Sequence, residues 1–184
     1  MKPSRVKALP ELRAVYAKEP RIAGLFALRP LFWALLLALC AWPAAAWECD
    51  AAQVLRVHDG DTVTMRCESG KPVKLRLASV DAPELHQAGG AASRDALAAL
   101  LAHGTVRVQS RAVDRYERVI AELRVDGEEV GLRLVEQGQA WCGMRPSAAC
   151  RAAQAAARSA GRGLWAEPSP QAPWQWRRAH PRTD

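Results

Sequence analysis

The sequence is short of several things. No apolar run is long enough for a comfortable membrane span: the best, residues 31–46, is interrupted by Pro43, and a crossing helix needs about 20 apolar residues. A polytopic membrane protein is excluded. Paired C-x-x-C clamps are absent, which removes the usual structural zinc sites. The four histidines, His58, His86, His103 and His180, share no motif and read as surface or packing residues. No internal repeat is present, so a solenoid is excluded. Aromatic residues make up only 6% of the chain, a thin supply for a surface that stacks bases. What is present is ordinary. The chain has 184 residues, 49% hydrophobic and 24% charged, which suits one globular domain with extras.

The net charge is +7, with 21 Arg against 5 Lys, but it is unevenly placed. The first 46 residues carry seven Lys/Arg and only two Glu, so most of the excess lies there. The rest is close to neutral, and basicity alone is weak support for a polyanionic partner. That front end has a basic stretch to Arg29, an apolar core Leu31-Phe32-Trp33-Ala34-Leu35-Leu36-Leu37-Ala38-Leu39, and then Pro43-Ala44-Ala45-Ala46. This is the pattern of a secretory signal peptide cut after Ala46, with an uncleaved anchor as the alternative. Residues 47–166 form the expected domain and residues 167–184 a Pro/Trp/Arg-rich tail, packed against the body or hanging free. Cleavage leaves Cys49, Cys67, Cys142 and Cys150. An even count in an exported domain suggests disulfides, and four cysteines allow three pairings. Proximity in sequence favours Cys49 with Cys67 and Cys142 with Cys150. The location expected is the periplasm or the exterior, without stable membrane association after cleavage and as a monomer.

The mature chain begins with strand patterns. Residues 54–58 are short and apolar-rich, and Asp59-Gly60 is a hairpin signal. Val63, Met65 and Cys67 then alternate with polar residues, as do Val73, Leu75 and Leu77 after Ser69-Gly70. Two more strands carry Val106/Val108 and Val119/Ala121/Leu123/Val125. Helices are expected over residues 91–102, 129–137 and 147–160, each closed by a glycine. Five strands, with one helix after the third and the others at the end, predict an α+β, mainly β fold. It is a five-stranded barrel of the OB (oligonucleotide/oligosaccharide-binding) type with three helices.

Within this meander, a turn centred near Gly70-Lys71 sets residue i opposite about residue 142 − i, so Asp61 faces Asp81. Opposed residues have Cβ atoms about 5 Å apart. Two like charges there need something positive between them, and a hard divalent cation is the natural filler. Asp59 and Glu84 fall in the same region, although Asp-Gly and Asp-x-Pro are also ordinary turn formers. Arg76 is five residues from Asp81, on the opposite face by strict alternation. The apolar phase slips between Leu77 and Val80, however, and a one-residue bulge near Ala78-Ser79 would bring Arg76 to the side of Asp81. There it could fork onto a phosphate or pair with the carboxylates. Arg118 opens the fifth strand after Arg111 and Arg115.

In order along the chain, Asp59-Gly60-Asp61-Thr62, Arg76, Val80-Asp81-Ala82-Pro83-Glu84 and Asp114-Arg115-Tyr116-Glu117-Arg118 resemble the thermonuclease (staphylococcal nuclease-like) family. So do Leu134-Val135-Glu136-Gln137-Gly138 and Gly163-Leu164-Trp165, while Pro173-Trp174-Gln175-Trp176-Arg177-Arg178 looks like the tail of bacterial exported members. The resemblance implies an OB barrel and a Ca²⁺-dependent phosphodiesterase with DNA and RNA as substrates. It implies Ca²⁺ held by Asp61, Asp81 and the Ala82 backbone carbonyl, with Glu84 activating or orienting water. It gives the phosphate to Arg76 and Arg118, and a place beside the nucleotide to Tyr116, with Arg115 as a neighbouring substrate contact. Three departures stand out. Glu117 occupies a place where the family usually has Gly; it could repel phosphate, clamp Arg115 or Arg118, or strain a turn that wants positive φ. The base-stacking tyrosines have no clear match after Trp141. The loop after Glu84 is short and rich in Ala and Gly. The alternative to a nuclease is a non-catalytic OB module that binds nucleic acid.

Overall fold

A computed structural model describes residues 46–68 and 70–181. The expected signal peptide, apart from Ala46, lies outside the described residues. Among the described residues no helix is long and apolar enough to cross a membrane.

The fold is α+β and mainly β, as expected, with one strongly curled sheet. Its long strands are β2 (Ala52–Val57), β3 (Thr62–Cys67), β4 (Val73–Leu77), β6 (Val106–Val113) and β7 (Val119–Val125). The short β1 (Glu48–Cys49) lies on the β6 edge, giving the order β1-β6-β7-β4-β3-β2, with the short β8 (Glu128–Glu129) also on β7. Strands β4 and β7 pair in parallel, and the other neighbours pair antiparallel. Alternation decides which face is buried. Val63 and Met65 of β3, Leu75 and Leu77 of β4, Val106 and Val108 of β6, and Ala121 and Leu123 of β7 all point into one core. Complete burial of such a side chain contributes about 1.5–3 kcal/mol.

Helix α1 (Gly90–Leu101) closes the core from one end with Ser93, Leu97 and Leu101, four residues apart and so on one helical face. Helix α2 (Val130–Glu136) adds Val130, Leu134 and Val135. Helix α3 (Ala148–Ser159) starts at Ser147, whose hydroxyl accepts the Cys150 N–H. These are the three expected helices, within two residues at each end. A fourth, α4 (Pro173–Ala179), and a 3₁₀ turn over Gly163–Ala166 were not expected.

Both disulfides join the favoured pairs, Cys49 with Cys67 and Cys142 with Cys150. The first has an architectural role. Cys49 pairs in register with Val108 on β6, while Cys67 pairs with Ala52 on β2. The bridge therefore ties the edge strand β1 to β3, the neighbour of the opposite edge strand β2.

Two local expectations need correction. The β3–β4 register is Thr62 opposite Arg76 and Met65 opposite Val73, four residues short of the 142 − i rule, which pairs Thr62 with Val80. The reason is that the Gly70 N–H bonds the Cys67 carbonyl at 2.8 Å, closing the turn earlier in the chain. Asp61 therefore lies opposite Leu77, whose N–H it accepts at 2.8 Å through its carbonyl. The phase slip after Leu77 is also real, but it is a turn rather than a bulge in one continuous strand. Ser79 takes φ +64°, and the chain leaves the main sheet to form β5 (Val80–Asp81), which pairs with β9 (Trp141–Cys142).

Candidate active site

Asp61 ends the β2–β3 loop. Its N–H bonds the Asp59 carboxylate at 3.0 Å, a turn in which a side chain replaces a backbone acceptor. Gly60 before it is packed so closely that an added Cβ would lie 2.7 Å from Ala82 Cβ. That contact presses the Asp59–Asp61 loop onto the segment after β5. The Ala82 N–H reaches Asp61 Oδ2 at 3.2 Å, and Thr62 Oγ1 donates to Oδ1 at 2.9 Å.

Asp61 and Asp81 do come together, by the turn at Ala78-Ser79 rather than by direct cross-strand opposition. Asp61 Oδ2 and Asp81 Oδ1 each lie 2.8 Å from one atom, Arg76 Nη2. Arg76 Nη1 reaches the Leu77 and Val80 carbonyls at 3.4 and 3.3 Å, so the guanidinium is seated on both sides of the turn. Asp61 is 5% exposed and Asp81 9%. Burial pushes the Asp61 carboxyl up to about 6, against the opposing pull of Arg76. A buried acid raised this far is short of positive charge.

Glu84 follows on the loop beyond Pro83, with its N–H on Gln87 Oε1 at 3.2 Å. Its Oε1 lies 3.0 Å from Arg177 Nη1, a residue of α4. Arg177 Nη2 also lies 2.7 Å from Asp81 Oδ2 and 3.0 Å from Oδ1. These carboxylates raise the Arg177 pKa, although burial opposes them.

Arg118 enters from the β6–β7 hairpin. The Glu117 N–H bonds the Asp114 carbonyl at 3.0 Å, and the Asp114 N–H bonds the Arg118 carbonyl at 2.9 Å. Glu117 sits between them at φ +60°. This is a three-residue hairpin loop whose last position is left-handed, a place that favours glycine. Of the three consequences foreseen for Glu117, the backbone strain is realised. The clamp on Arg118 is Asp114, whose Oδ2 lies 2.8 Å from Nε and 2.7 Å from Nη2. Burial would raise the Asp114 carboxyl, but hydrogen bonds from Arg118 and the Tyr116 N–H hold it below its usual value. Arg115 donates to the Tyr116 hydroxyl at 2.8 Å.

Most of these parts border one open cavity of about 930 Å³. Asp61, Arg76, Ala82 and Glu84 lie on its walls with Arg115, Tyr116 and Arg118. The expected site residues are thus gathered, Asp81 through its contact with Arg76. Sequence reasoning missed Asp114 and Arg177. It also missed that Trp174 and Trp176 of α4 face the same cavity. The available signal for α4 was Pro173 at the first helical position and basic residues in the last turn.

Could this site hold a divalent metal? Among the described residues no group of three or more His, Cys, Asp or Glu side chains is placed to do so alone. The donor set is nevertheless of the right kind. Two carboxylate oxygens converge on one positively charged nitrogen, and hard cations take carboxylate, backbone carbonyl and water oxygens together. The residues fit an ion that draws its remaining ligands from backbone and solvent.

A sequence model of the family described as "Staphylococcal nuclease homologue" matches residues 74–167. A protein of Haemophilus influenzae called "Uncharacterized endonuclease" is 37% identical over 150 residues, covering 80% of this chain and 84% of its own. A "Micrococcal nuclease" of Shigella flexneri is 35% identical over 170 residues, covering 85% and 95%. An "Uncharacterized endonuclease" of Escherichia coli is 36% identical over 146 residues, covering 78% and 94%.

Proposed function

The chain belongs to the staphylococcal nuclease homologue family and is a nucleic-acid-hydrolysing enzyme, and from that premise we propose that it is a Ca²⁺-dependent phosphodiesterase acting on both DNA and RNA outside the cytoplasm. The observation that carries the reading is the convergence of Asp61 and Asp81 on one cationic point, at the edge of a cavity that also receives Glu84 and Arg118.

Asp61, Asp81 and the Ala82 carbonyl would hold the ion. When bound, it supplies Lewis-acid neutralisation of the phosphate and of the charge that develops on it. The rest is done by this chain. Arg118 presents its remaining N–H donors to the non-bridging phosphate oxygens, an anionic target that matches guanidinium geometry, and Arg76, seated among Asp61, Asp81 and two carbonyls, adds positive charge beside them. Asp114 fixes the Arg118 fork in advance, so little order is lost when phosphate arrives. Glu84 takes a proton from the attacking water or orients it. The water oxygen bonds to phosphorus, one ester P–O bond breaks, and the departing alkoxide takes up a proton. Tyr116 and Arg115, paired on the exposed hairpin, border the nucleotide. Two disulfides suit an oxidising compartment, which supports export to the periplasm or exterior. Every residue proposed for the site comes from one chain, which supports the reading of a monomer.

The test is hydrolysis of single-stranded DNA and RNA by the full chain with Ca²⁺, with Mg²⁺ and with chelator, alongside Glu84→Ala. Ca²⁺-dependent cleavage that the variant loses is the expected result. A folded, oxidised protein that shifts nucleic acid on a gel without metal and never cuts it would make the chain a binding module instead.

A further inference from the structure

The family match ends at residue 167, yet a residue beyond it reaches into the acidic cluster. We propose that α4 is a working part of the active site and that Arg177 is a positioning residue, holding the Glu84 carboxylate at a fixed place relative to Asp81. The inference rests on the nuclease reading above and adds to it a component from outside the matched domain.

Three observations carry it. First, one guanidinium bridges two carboxylates. Nη1 takes Glu84 Oε1 at 3.0 Å, and Nη2 takes Asp81 at 2.7 and 3.0 Å. A planar fork fixes direction as well as distance. Second, the Glu84 side chain springs from a segment that does not itself fix its direction. The residue lies on a loop without regular structure, and a glutamate there has several rotamers to choose from. A base that acts on a water must be held within about half an ångström of its working place. Third, the main chain of the same residue is wired to the same segment. The Gln87 side chain is 4% exposed. Its Oε1 accepts the Glu84 N–H at 3.2 Å, and its Nε2 donates to the Gln171 carbonyl at 2.7 Å. Backbone and carboxylate of Glu84 are thus both referenced to the chain entering α4.

The helix can bear this role because it is anchored. Ala172 and Pro173 at its start are buried. The Trp174 ring meets Trp141 edge-on, with centroids 6.5 Å apart, and Trp141 belongs to β9, which pairs with Asp81's own strand. Arg177 therefore reaches the cluster from a support tied to the cluster itself.

The test compares the full chain with Arg177→Met, which keeps the stem and removes the fork, and with Arg177→Lys, which keeps the charge. Steady-state cleavage of single-stranded DNA in Ca²⁺ is read as kcat and KM separately. A misplacement of about 1 Å costs about a hundredfold. The expectation is that kcat falls about a hundredfold in the Met variant, with KM within about threefold, and recovers about tenfold in the Lys variant. In the metal-free protein, amide exchange at residues 84–87 should quicken in the Met variant while α4 keeps its protection. If α4 also loses protection, the Lys variant decides: recovery of tenfold or more over Met supports the role, and no recovery overturns it. An unchanged or raised kcat in Arg177→Met overturns it, since the arginine would then be idle or a tethered plug. A KM that rises with kcat unchanged overturns it as well, because the residue would then only bind substrate. An inactive parent chain sinks the nuclease reading together with this inference, whereas an active parent and an equally active Met variant sink the inference alone.

Discussion

Asp61 should make the metal-free protein less stable at neutral pH than it need be. The carboxyl is 5% exposed, and burial lifts it from 3.8 to about 6 in spite of Arg76. At 1.36 kcal/mol per unit, the ionised form costs the folded state up to about 3 kcal/mol. The sign is set by the direction of the shift. A carboxyl raised on folding binds its proton more tightly in the native state, so the cost is absent below about pH 4. It grows as pH rises through 4–6 and is complete above 6. Asp61→Asn removes the charge and keeps an acceptor for the Thr62 hydroxyl or the Ala82 N–H. In chelator, the stability of the variant minus that of the parent should rise by about 2–3 kcal/mol between pH 4 and pH 7, read from urea unfolding at each pH. Titrating groups remote from the cluster cancel in the difference. Added Ca²⁺ should then stabilise the parent and leave the variant unmoved, because only a state that binds the ion is stabilised by it. A difference flat across that pH range would refute the electrostatic account of this site.

Further predictions concern the arginine hairpin, its strained turn and the Cys49–Cys67 disulfide. Arg118→Ala should lose about 10²–10³ in cleavage rate with the fold intact, as loss of one preorganised donor does; full activity would remove its role. Glu117→Gly should gain about 0.5–1 kcal/mol in urea unfolding, since a left-handed non-glycine residue costs about 1–2 kcal/mol and glycine gives back part of that in chain entropy. Its cleavage rate should stay within about twofold, because Asp114, not Glu117, holds Arg118. Replacing Cys49 and Cys67 together by Ser should cost about 3 kcal/mol, the figure for freeing a loop of this length; a smaller loss than that from opening Cys142–Cys150 would contradict its role in tying β1 to β3.

The barrel was legible because its signal is local and repeated. Val63, Met65, Leu75 and Leu77 alternate along two strands, and Leu97 and Leu101 recur at helical spacing, so burial can be read from period alone. The meeting of Asp61 and Asp81 was legible in its outcome but not in its cause: it was read from an opposed register, and the turn at Ala78-Ser79 makes it instead. The register was not legible, since it hangs on one hydrogen bond from Gly70 to Cys67 that two adjacent turn dipeptides could equally have made elsewhere. The tail was harder still. Seven residues are too few for a helix to form on its own propensity, so α4 depends on partners far away in sequence, Trp141, Gln87, Asp81 and Glu84 among them.

The same dependence has a functional consequence. Arg177 is one arginine among 21, without pattern or spacing to single it out, and only the docking of α4 turns it into a partner of Asp81 and Glu84. Asp61 keeps its own arginine, Arg76, on the barrel. The acidic cluster is therefore balanced by two cations of different origin: one built into the strand that carries the domain, the other delivered by a short helix at the end of the chain. A change in the core that spares Arg76 but loosens the Trp141–Trp174 contact would remove the second cation while leaving the barrel standing. Loss of activity without loss of fold is thus expected from packing residues around Trp141 that never touch the substrate.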